Sequence, residues 1–214
     1  MYTNHPKRGV FTYARHLTFF LLLQTSVLSL AVPITVFDFD TDAGEFENLP
    51  DLTVEGVSAS AWTDTDGTLT NFAGISGRAI AARNWHDGNS LEFGLAVQPG
   101  FSLSLDGFEF AQRASSSGPL QWTLEILNQV AGSGLTSTAF SAFSGALALS
   151  DLSGIVPVVL TASGASSSSG TWRVDDFLLS GKVTASVPEP PSWMLLAVAL
   201  IGLSVFKSCT RRYT

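Results

Sequence analysis

Cysteine is almost missing from this chain: its 214 residues hold one, Cys209, near the C-terminal end. The stretch from Val32 to Ser186 holds none. No disulfide and no thiolate zinc site can be built there, and no C-x-x-C pair exists anywhere. Histidine is nearly as scarce, and of the three present only His86 falls within that stretch. A multi-histidine metal centre is therefore excluded. A Ser/His/Asp triad would depend on His86 alone, and no Gly-x-Ser-x-Gly elbow accompanies it, since Gly74-Ile75-Ser76-Gly77 lacks the flanking spacing. Positive charge is also short. Residues 32–186 carry 5 Lys plus Arg against 17 Asp plus Glu, a formal charge of 5 − 17 = −12. A body this acidic lacks the basic footprint of a nucleic-acid binder and suits a soluble protein outside the cytoplasm. Glu92 and Glu109 fall on polar-facing positions of separate segments, and no Glu-x-Asp-x-x-Glu cluster supplies the opposed carboxylates of a glycanase. The expectation is a protein that is not an enzyme.

The remaining basic residues lie at the two ends. Lys7, Arg8 and Arg15 precede an apolar run from Leu17 to Leu30, and Ser29-Leu30-Ala31 puts small residues before a cut after Ala31. Charged region, apolar region and small-residue site make residues 1–31 a secretory signal peptide, its apolar run helical. Gln24, Thr25 and Ser26 interrupt that run, which argues against a permanent span.

The C-terminal end has three parts: Val187-Pro188-Glu189-Pro190-Pro191, an apolar run from Trp193 to Phe206, and a basic tail of Lys207, Arg211 and Arg212. Prolines remove backbone donors and favour extended geometry, which keeps this strip open to a processing enzyme. Segment 193–206 has 14 residues, about 21 Å as a helix at ~1.5 Å per residue, shorter than the ~30 Å hydrocarbon core. It reads as a short transmembrane helix, with Lys207 snorkelling and the tail held cytoplasmic by the positive-inside rule. The arrangement resembles the PEP-CTERM signal that bacterial exosortases recognise, with Val187, Pro188, Glu189 and Pro190 as the sorting motif. That resemblance implies an exported protein, anchored transiently in the inner membrane and then placed at the cell surface or outside. Its implied partners are the secretion machinery, an exosortase, the membrane during sorting and extracellular polysaccharide, with no nucleic acid.

Between the ends the chain reads as all-β. Leu91, Phe93, Leu95 and Val97 alternate with polar or small residues, as do Trp122, Leu124 and Ile126, and Val156, Val158 and Leu160. Ile34 to Phe39 makes a first strand. Phe101, Leu103 and Leu105 alternate, then Phe108 and Phe110 take the opposite parity, so a bulge or tight turn belongs at Asp106-Gly107. The last strand repeats this, with Trp172 and Val174 before Asp175-Asp176 and Phe177, Leu179 and Val183 after. Ala139 to Leu152 is ambiguous between strand and helix, and Ser163 to Gly170 is a surface loop. The organisation expected is a signal peptide over 1–31, a jelly-roll-like two-sheet β-sandwich over 32–184 whose first and last strands pair near Phe37 and Phe177, and a linker plus sorting signal over 185–214. Phe101 to Phe110, Arg113 to Pro119 with Trp122, and Thr171-Trp172-Arg173-Val174-Asp175-Asp176-Phe177 with Gly181 look like the sandwich bodies of many exported PEP-CTERM proteins. The final pattern there is usually Asp-Asn rather than Asp175-Asp176, and similar strand endings occur in jelly-roll carbohydrate-binding modules.

Two candidate sites remain. Trp122 and Trp172 keep phase with apolar neighbours and read as core. Trp85 lies in a polar loop, where its ring could stack on a sugar while Arg83, Asn84, His86 and Asp87 bond hydroxyls; the alternative is a ring folded over the sandwich edge. Asp38, Asp40 and Asp42, and Asp64-Thr65-Asp66-Gly67, with Asp175 and Asp176 as added ligands, have spacings a calcium ion favours. Acidic turn chemistry explains them without a metal and is the reading favoured, and no cofactor is expected. The leading reading is a non-catalytic surface or matrix protein tied to exopolysaccharide or biofilm. A carbohydrate-binding module using the Trp85 loop comes second, and a secreted hydrolase third.

Overall fold

The computed structural model of the chain describes residues 31–40 and 46–185. The expected signal helix, Asp42, the sorting motif, the apolar segment 193–206 and the basic tail lie outside the described residues. Strong alternation of large apolar with polar or small residues favours strands that bury one face, and every regular element described is a strand.

One sheet is built around two long strands, β8 (Phe101–Ala114) and β13 (Thr171–Ala185), which pair antiparallel. β11 (Ser141–Leu152) flanks β8, and β1 (Val32–Phe37) with β2 (Leu52–Thr53) lies beyond β13. Along its first half, β13 pairs instead with β6 (Arg78–Arg83), whose hairpin partner is β5 (Leu69–Ala73). The second sheet runs β10 (Gln129–Leu135), β9 (Gln121–Ile126), β12 (Gly154–Ser163), β7 (Ser90–Val97) and β3 (Val57–Ala59), with β4 (Thr63–Asp64) also on β7. The two sheets form an all-β sandwich.

Both parity changes are bulges. Asp106 has no partner on β13, where Gly181 faces Leu105 and Ser180 faces Gly107. Asp176 and Phe177 together oppose Phe110, and Asp176 takes a left-handed φ of 50°. Each extra residue restores the inward phase, so Leu103, Leu105, Phe108 and Phe110 are all buried, as are Trp172, Val174, Phe177 and Leu179. First and last strands pair with Phe37 opposite Phe177. The second bulge marks the point where β6 hands over to β1 along β13.

Rings fill the space between the sheets. Trp62 lies 4.6 Å from Phe93 and 5.1 Å from Phe177, centroid to centroid, and Phe37 lies 4.9 Å from Phe93. The ambiguous segment is strand β11 at the sheet edge, its small residues giving only weak contrast between faces. Those small residues have a use: a Cβ on Gly145 would sit 2.4 Å from the Phe108 ring, and one on Gly132 2.6 Å from it. Bare backbone on β10 and β11 is what lets that ring close the open side of the sandwich.

Candidate functional site

The loop after β6 reverses at Asn84, whose φ of 56° is tolerated by asparagine better than by most residues. That reversal turns Trp85 inward. Its amide donates to the Gly170 carbonyl at 2.9 Å, and its indole Nε1 donates to the Ala162 carbonyl at 2.9 Å. The ring meets Trp172 edge-on, with centroids 5.0 Å apart. Trp85 is 0% exposed. Of the two readings of Trp85, the ring folded into the sandwich is the one observed, and its candidate role as a stacking surface is corrected: burial with a satisfied N–H outweighs leaving so large an apolar surface in water.

Arg83, Asn84, His86 and Asp87 stay exposed, but they do not converge on one point. His86 Nε2 faces Asp66 Oδ2 at 2.7 Å, and Nδ1 faces the Asp87 carbonyl at 3.1 Å. With an oxygen acceptor at each ring nitrogen, the imidazolium is favoured, and the pKa is raised first by the Asp87 carbonyl and then by Asp66. Asp87 Oδ1 accepts from the Gly164 amide at 2.8 Å, tying this loop to the serine-rich one. Arg83 leans the other way, 5.2 Å from the centre of the Phe72 ring.

Of the calcium-spaced carboxylates, Asp38, Asp40, Asp64 and Asp175 accept backbone N–H groups, and Asp66 pairs with His86. Asp64 accepts from the Thr68 amide at 2.7 Å and the Leu69 amide at 3.1 Å, a self-contained turn. Asp40 Oδ1 accepts from the Arg78 amide at 2.8 Å, and Asp175 Oδ2 from the Ile75 amide at 2.6 Å, so the tip of the β5–β6 hairpin is pinned to the seam between β6 and β1. A Cβ on Gly77, at φ +68°, would collide with the Asp40 carboxylate. Asp175 is 1% exposed, and burial pushes its carboxyl up to about 6, with Asp176 and Asp40 adding to the rise. Asp176 is raised by burial and by Asp38 and Asp40. No group of three His, Cys, Asp or Glu suited to a metal occurs among the described residues.

The carboxylates weighed for hydrolysis point apart. Glu92 alternates with buried Leu91 and Phe93 on β7, and Glu109 with buried Phe108 and Phe110 on β8, so each lies on the outer face of a different sheet. Sheets pack about 10 Å apart, which leaves the pair too far separated to flank one glycosidic bond.

One cluster escaped sequence reasoning. On the outer face of the β8–β13 sheet, Arg113 and Arg173 are directly opposed register partners. Phe72 of β5 lies under the Arg173 guanidinium at 4.5 Å as well as near Arg83. The alternation of β8 and β13 hints at outward arginines. Only their register makes them neighbours.

Residues 186–212 match the PEP-CTERM protein-sorting motif. The motif marks a secreted protein held in the membrane by its C-terminus until an exosortase cuts it. No curated protein matches the chain. Among solved structures, the chain is similar to the CBM22-1 xylan-binding domain of Xyn10C from Paenibacillus barcinonensis, at 9% identity and TM-score 0.45, covering 72% of this chain and 97% of that one. It is also similar to the family 11 carbohydrate-binding module from Clostridium thermocellum, at 12% identity and TM-score 0.37, covering 71% and 96% respectively.

Proposed function

We propose that the sandwich is a non-catalytic protein of the cell surface or extracellular matrix, delivered by secretion and exosortase cleavage and working beside exopolysaccharide. The observation that carries this reading is the sorting motif at residues 186–212. Three features of the body support it. Asp40 and Asp175 are used as acceptors for its own backbone, its only histidine is paired with Asp66 on an exposed loop, and Glu92 and Glu109 face away from each other. A second reading, glycan binding at the loop of Arg83, Asn84, His86 and Asp87, is supported by their exposure on a loop that buried Trp85 anchors. A glycan-array hit lost on His86→Ala would favour it.

The test of the leading reading is mass spectrometry of the protein recovered from a strain with an active exosortase, combined with fractionation. The expected product starts near Val32, ends close to Pro188–Pro191 and fractionates with the cell surface or matrix. Recovery of the chain intact through Thr214 would sink the sorting step, and turnover of a glycan abolished by Glu92→Gln or Glu109→Gln would sink the non-catalytic part.

A further inference from the structure

Five Lys and Arg are spread through a body of charge −12, yet three of them meet on one face. Arg113 on β8 stands directly across from Arg173 on β13, and Arg173 stands across from Ala81 on β6, two residues before Arg83. Like charges at opposed positions of an antiparallel pair destabilise a sheet. Among the described residues no acidic side chain offsets them: the one ion pair there is His86 with Asp66. Burial, and then the neighbouring Arg113, hold the Arg173 guanidinium below its ordinary pKa. With 15 acidic residues among those described, an arginine pair that none of them meets points to a negative group from outside.

Two of the three are also held in place. Phe72 packs against Arg173 at 4.5 Å and Arg83 at 5.2 Å, and Arg173 Nη1 donates to the Ala73 carbonyl at 3.2 Å. Fixing the guanidiniums beforehand lowers the entropic cost of binding. Ala79, Ala81 and Ala111 lie buried beneath these larger side chains. Adjacent strands lie about 4.7–4.9 Å apart and residues rise ~3.3 Å each, which spreads the three arginine backbone positions over roughly 12 Å. That spacing suits carboxylates repeated along a polymer better than a single small anion. Guanidinium forks bind carboxylates in bidentate fashion. Duplex DNA, with one charge per ~1.7 Å, would press its remaining phosphates against the acidic surround.

We infer that Arg83, Arg113 and Arg173, with Phe72, form a binding face for a carboxylate-bearing polysaccharide, a polyuronate. The inference rests on the matrix reading only for the choice of polymer. It is tested by affinity electrophoresis of the exported, processed protein through gels holding polygalacturonate, with its methyl ester and duplex DNA in parallel. Polygalacturonate should retard the protein at low salt and lose its grip as salt rises, and the ester should not retard it. Arg113→Gln removes one charge-assisted bond and should weaken retention about tenfold, while Arg113→Lys keeps the charge without the fork and should lose less. Lys182→Gln removes the same charge further along β13 and should change nothing. No retardation by polygalacturonate, equal retention of the ester, equal loss with Lys182→Gln, or tighter binding to DNA would each overturn the site. Polygalacturonate binding by a protein that never fractionates with the matrix would sink the matrix reading and leave this face standing.

Discussion

The interior between the sheets and the seam where β6 gives way to β1 hold the same strand, β13, in opposite ways. In the interior, Trp172, Val174 and Phe177 bury apolar surface against rings such as Trp85, Trp62 and Phe110. At the seam, Asp175 and Asp40 accept N–H groups from the hairpin tip. Apolar burial is non-directional and large, whereas a backbone-to-carboxylate bond nets little once the carboxylate has left water. Stability therefore lies in the interior, and the seam chiefly sets register. A body without cysteine has no other staple to rely on.

Removing a ring should therefore produce the largest effect. Trp172→Ala should destabilise residues 32–186 by roughly 3–5 kcal/mol in urea unfolding. Trp85→Phe, which leaves the Ala162 carbonyl without its donor, should cost about 1–3 kcal/mol. Both rest on a β-type circular dichroism spectrum that reductant does not alter. A near-neutral Trp172→Ala would break the comparison outright.

The seam should respond to pH. The Asp175 carboxyl is lifted from 3.8 to about 6 in the folded state, so the native protein holds this proton more tightly than the unfolded chain does. Its contribution to stability is complete below about pH 3.8 and is lost as pH rises through about 6. Asp175→Asn cannot ionise, so the melting temperature of the variant relative to the parent should be more favourable at pH 8 than at pH 4. The reverse order would mean that the ionised carboxylate stabilises the seam.

Calcium should have the smallest effect. The seam carboxylates already accept N–H groups, so melts in millimolar calcium and in chelator should coincide, with magnesium as control. A calcium-specific rise of several degrees that Asp175→Ala removes would make a bound cation part of the seam and change its role from register to staple.

The alternation of Leu91 to Val97 and of Trp122 to Ile126, the two bulges at acidic residues and the pairing of Phe37 with Phe177 were legible in the sequence. So was the sorting motif, because each of these depends on residue types at short, regular spacing. The partners of the infolded Trp85, the strand at Ser141–Leu152, the burial of Asp175 and the meeting of Arg113 with Arg173 were not. Trp85 donates to Ala162 across 77 positions, and Ile75 donates to Asp175 across 100. Local pattern says which face a residue takes. What lies opposite that face is decided by register between strands distant in the chain, and only the closed sandwich sets that.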